Sequence, residues 1–212
     1  MRSVSHTGIL LALGIAGVSV AGISQVLPQP AHTPQVVHHE EAQMAGKEKT
    51  DRSIIMKFVV DANHHEVFRL WSTEEGTRRF FGTDAHIELR VGGSYEIYFL
   101  PRDNPQCDAN STKGARLLTI EPGKELAFEW TAPPFASQFN TQPLPTWVEV
   151  RLEPLEGDSG RTVVLMAHHG FQRGHDWDRV YEFFVRSWAS VLYRLDLVCS
   201  GVEPERPFLN LS

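Results

Sequence analysis

The chain has 212 residues, 42% of them hydrophobic and 22% charged, with a formal net charge of -6. These are the totals of one ordinary globular domain plus accessory sequence, and a core of roughly 150 residues buries most of its apolar surface without metal or disulfide support. A net negative chain without a long basic run lacks the clustered cations that neutralise phosphates, which excludes nucleic acid as an expected partner.

Arg2 is the only formal charge before Glu40, and residues 7–27 are an uncharged run of apolar and small residues. A cationic start followed by such a run is read as a signal peptide or an N-terminal membrane anchor over 1–27. Ser19-Val20-Ala21 offers a cleavage position, and the run is also about long enough to cross a bilayer. Either way the rest of the chain is expected to be exported (periplasmic or extracellular) or held on the outer face of a membrane, touching that membrane only through an uncleaved segment. Residues 28–51 carry Pro28, Pro30 and Pro34, scattered charge and no apolar period, which reads as a flexible linker in which His38-His39 are solvated.

The domain is expected over 52–203, with 204–212 as a tail. Strand character begins at once over 53–62. Asn63 stands three residues before Glu66 and opens a helix through Val67, Phe68, Leu70 and Trp71. Ser72 or Thr73 caps a second short helix, with Gly82 beyond Phe80-Phe81 as its stop. Strands and turns follow: 85–90, a reversal at Gly92-Gly93, 95–100, 114–120, a turn at Pro122-Gly123, 125–131, 146–153, a turn over 156–160, and 161–169. Asp176 is a candidate cap for a long helix whose apolar positions, Trp177, Val180, Tyr181, Phe184, Trp188, Val191, Leu192 and Leu195, recur at threes and fours. The order β-α-α-β-β-β-β-β-β-α predicts an α+β fold in which a curved antiparallel sheet wraps a C-terminal helix of about 22 residues, roughly 33 Å long.

Local sequence sharpens this order. His65-Glu66-Val67-Phe68-Arg69-Leu70-Trp71, Arg79-Phe80-Phe81, Leu89-Arg90-Val91-Gly92-Gly93-Ser94-Tyr95, Leu126-Ala127-Phe128-Glu129-Trp130, Arg161-Thr162-Val163-Val164-Leu165, His168-His169-Gly170-Phe171 and the closing run from Ser187 to Leu195 occur in sequence. Together they resemble the family of activator of Hsp90 ATPase homologues, within the START-like or SRPBCC superfamily. The resemblance implies a helix-grip fold and an apolar cavity between sheet and helix. The segments 101–113 and 133–145 are longer and more proline-rich than a minimal member needs, and long connections of this kind serve as lids or recognition loops or as plain surface loops.

Residues expected to border that cavity are Tyr95, Phe128, Trp130, Val148, Val150, Met166, His168, Trp177, Tyr181, Phe184 and Trp188. This set is too aromatic for close packing between one helix and one sheet to be assured, and rings with O–H or N–H groups orient small ligands. His168 shares strand parity with Val164 and Met166 and so faces inward, as a general base or as a hydrogen-bonded structural residue. Arg116, in parity with Leu118 and Ile120, is a candidate for a ligand carboxylate or a surface residue of the sheet edge.

No catalytic signature is present, no cofactor is expected, and no metal-ligand spacing occurs. Cys107 and Cys199 leave one disulfide open, and Asn110-Ser111-Thr112 fits a glycosylation acceptor. The leading expectation is a non-enzymatic domain that binds a small apolar or amphipathic molecule. Alternatives are an enzyme of the cyclase or hydrolase kind in the same cavity, and a chaperone-associated interaction module.

Overall fold

The structure is a computed structural model and describes residues 35–37 and 52–205. The apolar run 7–27, most of the linker and the end of the tail lie outside the described residues. Among the described residues no helix is long and apolar enough to cross a membrane.

The linker contributes one unexpected element, a short strand β1 (Gln35–Val37). It pairs antiparallel with β2 (Arg52–Val60), Val36 opposite Met56. Helices α1 (His64–Ser72) and α2 (Glu74–Phe80) follow. The Asn63 side chain accepts from the backbone N–H groups of His65 and Glu66, and Thr73, rather than Ser72, caps α2 by accepting from Gly76 N–H. The strands are β3 (Asp84–Ile87), β4 (Tyr95–Tyr98), β5 (Leu117–Glu121), β6 (Glu125–Trp130), β7 (Thr146–Leu155) and β8 (Asp158–Phe171). A 3₁₀ helix over Pro134–Phe139, not foreseen in the sequence, interrupts the β6–β7 connection.

Among the described residues the main sheet has six antiparallel strands in the order β1-β2-β8-β7-β6-β5. Hairpin β3–β4 extends it past β5, because Tyr95 N–H donates to Ala115 and Thr112 N–H donates to Ile97. The 25-residue α3 (His175–Cys199) lies in the curve of this sheet, burying Trp177, Val180, Phe184, Trp188, Val191, Leu192 and Leu195. Its predicted cap is corrected. Gly174 is the cap, without a side-chain bond, and Asp176 sits inside the first turn, where a carboxylate still favours the helix dipole.

Parity also fails once. The register shifts between Leu117 and Thr119, so Leu117 turns inward while Arg116 and Leu118 are exposed. The open disulfide question closes on two free thiols, with Cys107 donating to the Leu100 carbonyl.

Candidate functional site

The space between sheet and helix is largely filled. Tyr95, Phe128, Val148, Val150, Met166 and His168 are at most 1% exposed and pack as core rather than lining an open cavity. Tyr95 stacks on Phe128 with centroids 4.1 Å apart and gives its hydroxyl hydrogen to the Trp71 carbonyl. Complete burial pushes that phenol well above its ordinary pKa, so it acts as a neutral tether.

An apolar recess of about 60 Å³ remains at one end of the grip. Its floor is aromatic: Phe81 lies nearly parallel to Trp130 at 5.5 Å, and Trp188 meets both at 5.2–5.5 Å. Phe99 closes one side, and Phe183, Phe184, Ser187 and Val191 of α3 close the other. The rim comes from residues 109–112 of the β4–β5 connection and 131–134 of the β6–β7 connection. A second, more polar basin of about 220 Å³ adjoins it, sharing Ala109, Ser111, Thr131 and Pro134 and reaching Lys113, Asn140 and Gln142.

Both connections are tied down by side chains. Asn140 clasps its loop by accepting from Ala132 N–H at 2.6 Å and donating to the Ala132 carbonyl at 3.2 Å. Thr131 donates its hydroxyl to the Ser111 carbonyl, which joins the two rims. Thr112 accepts from Ile97 N–H and donates to the Tyr95 carbonyl. Asn110 lies half-buried in the recess wall, and its amide donates to the Gln106 carbonyl.

The predicted residues therefore divide. Trp130, Phe184 and Trp188 line the recess. Trp177 stacks on Phe139 at 4.1 Å and walls neither space. Tyr181 carries the Arg52 guanidinium over its ring at 4.5 Å. Arg116 is outside altogether, its guanidinium donating to the Gly92 carbonyl at the surface.

His168 lies behind the recess, its ring 4.8 Å from Phe184 and 5.9 Å from Trp188, and Trp188 Nε1–H donates to its Nδ1 at 3.0 Å. Burial, and then the neighbouring charge of His169, hold its pKa well below the ordinary range. A general base needs access to a substrate proton, and here a tryptophan occupies the basic nitrogen. On the outward sheet face Ser53 Oγ lies 2.8 Å from His169 Nδ1, with Glu149 Oε2 3.9 Å from Nε2. Neither hollow includes this row. Burial pushes the Cys199 thiol up to about 12, leaving it unreactive at neutral pH.

Residues 61–199 match the family described as Activator of Hsp90 ATPase homolog 1-like protein. The chain belongs to that family. No curated protein matches it. Among solved structures it is similar to the AHSA1-like protein of Rhizobium etli, 20% identical over 80% of this chain and 95% of that one, with a TM-score of 0.53. It is similar also to CalU16 of Micromonospora echinospora, at 22% identity over 84% and 89% with a TM-score of 0.51. A third, MLL2253 of Mesorhizobium loti, is 15% identical over 72% and 100%, with a TM-score of 0.54. At these identities the likeness is one of fold, and the helix grip of the Hsp90 ATPase activator homologues is the architecture seen here.

Within that family frame, the recess is walled by the two connections that the sequence marks as long for a member. Phe81, Phe183, Pro133 and Pro134 lie at a helix end, beside the α3 stripe and in a connection, where no period marks them, and Phe99 shares parity with Tyr95 at the end of its strand. The signal available was the aromatic and proline content of those segments.

Proposed function

We propose that this domain binds a small amphipathic molecule whose apolar part enters the recess and whose polar part rests in the adjoining basin. The observation that carries this reading is the juxtaposition of an apolar hollow floored by Phe81, Trp130 and Trp188 with a basin bearing Lys113, Asn140 and Gln142. Small-molecule sites are built this way, with apolar walls and a few polar groups that orient the ligand. The inner hollow is only about 60 Å³, so it suits one ring or a short chain rather than a bulky lipid. The same reading places the domain on the outer side of a membrane, on the strength of Arg2 and the uncharged run that follows it.

The test is titration of the purified chain with 4-ethylphenol, followed by amide chemical shifts and calorimetry. Saturable shifts are expected at Ala132, Ser187 and Val191, with little change on the outward sheet face. Ser187→Phe, at a half-buried helix position on the wall, should fill the hollow and abolish saturation while the melting temperature stays near that of the parent. Binding that is absent in the parent, or unchanged in Ser187→Phe, would overturn the reading.

A further inference from the structure

The aromatic cluster behind the recess contains buried hydrogen-bond donors that have no partner among the described residues. Trp188 Nε1–H is a donor only, so the His168 Nδ1 that lies 3.0 Å from it must be the bare, accepting nitrogen. In the neutral ring the proton then sits on Nε2. That nitrogen is fully buried and has no hydrogen-bond partner among the described residues. The imidazole ring that carries it packs edge to face on Phe171 and Phe184, with ring centroids 4.5 and 4.8 Å apart. The same cluster holds a second unsatisfied donor, Trp71 Nε1. Buried donors are nearly always paired, and an exception calls for a physical reason.

We propose that His168 Nε2–H is the deep anchor of the ligand site and that the ligand, besides the polar group held in the basin, carries a neutral carbonyl at the inner end of its flat apolar body, as an aryl ketone or aryl aldehyde does. This rests on the reading of the recess as a ligand site and names the chemistry of its inner end. Phe184 and Trp188 line the recess and also contact His168, so these two rings are what separates the hollow from the histidine, and the proposed anchor is reached when the Phe184 ring turns aside. A carbonyl oxygen arriving there accepts one hydrogen bond and brings no charge into an apolar enclosure. A carboxylate would lose its hydration for a single neutral donor, which disfavours it. Burial keeps the imidazole neutral, so the site offers one N–H and no cation.

The experiment compares acetophenone with α-methylstyrene, which has the same outline with C=CH₂ in place of C=O. Binding to the whole chain is followed by calorimetry, and the His168 Nε2–H proton by ¹⁵N-edited NMR. The expected result is about tenfold tighter binding of acetophenone, the scale of one satisfied buried hydrogen bond, with a downfield shift of that proton only with the ketone. In His168→Phe the ratio of the two affinities should fall to about one. Equal binding of the two compounds, or an unmoved Nε2–H resonance in the parent chain, overturns the carbonyl anchor and leaves the recess reading intact. Failure of both compounds to saturate overturns both. The resonance test uses the parent protein, so it decides the matter even where His168→Phe fails to fold.

Discussion

His168 shows how far a single residue can be read. Strand parity with Val164 and Met166 turns it inward, and the structure buries it completely. Parity could not show that Trp188, on another element, would occupy Nδ1, because that pairing depends on how α3 is rotated over β8. Arg116 shows the opposite case, since one bulge in β5 reverses the faces and sends it to the surface. The burial of His168 has a thermodynamic consequence. In the unfolded chain its pKa returns to about 6.5, while in the fold it lies well below that. Between the two values the unfolded state binds a proton that the folded state does not, so stability present above about pH 6.5 is lost as the pH falls. The loss is about 1.4 kcal/mol per pH unit, and it levels off once the folded value is passed. Denaturant unfolding at pH 7, 6 and 5 should show this slope in the parent and a slope shallower by about that amount in His168→Phe. Carboxylates common to both proteins cancel in the difference. Equal slopes would mean that His168 is protonated as readily in the fold as out of it.

Among the elements, regular ones were legible and connections were not. The long stripe of α3 and the alternation of β6 and β7 are periodic, and the structure keeps every one of those inward positions except Tyr181, which is half-buried. The 3₁₀ helix and the clasp made by Asn140 have no period to detect, since they depend on one amide reaching across its own loop. At the end of β8, Gly170 holds a φ of +91°, and a Cβ added there would lie 2.1 Å from the Pro145 carbonyl oxygen. Strand β7 begins one residue later, so this close approach fixes how the β6–β7 connection enters the sheet beside the recess. Gly170→Ala should cost about 3 kcal/mol or more, combining backbone strain with a backbone clash that has nowhere to relax. Gly157, in the β7–β8 turn, has a similar φ of +79° with nothing within 4 Å, so Gly157→Ala should cost only about 1–2 kcal/mol. Unfolding free energies of the two variants check the ordering. Equal costs would remove the close approach as a constraint on the loop.

At the scale of the whole molecule, the expected open cavity became a packed aromatic core with its hollow displaced to one end. Composition and periodicity report which side chains go inside; whether they meet or leave space depends on ring orientations that neither carries. Among the described residues the buried hydrophobic core runs from Ile54 to Val198. Strand β1 pairs Gln35–Lys57, Val36–Met56 and Val37–Ile55 at the β2 edge. Its removal therefore takes away edge hydrogen bonds, a cost of about 1–2 kcal/mol at the usual net value per bond. For a domain of this size about 1 kcal/mol shifts the melting temperature by about 2–4 °C. A chain beginning at Arg52 should therefore unfold in one transition within about 8 °C of a chain beginning at Gln35. The shorter chain also leaves the outer edge of β2 unpaired, and an open edge pairs with other strands. Size-exclusion chromatography should accordingly show concentration-dependent association in the shorter chain and less in the longer. A melting temperature lower by 15 °C or more, or two transitions, would mean that residues 35–51 belong to the fold itself rather than to its edge.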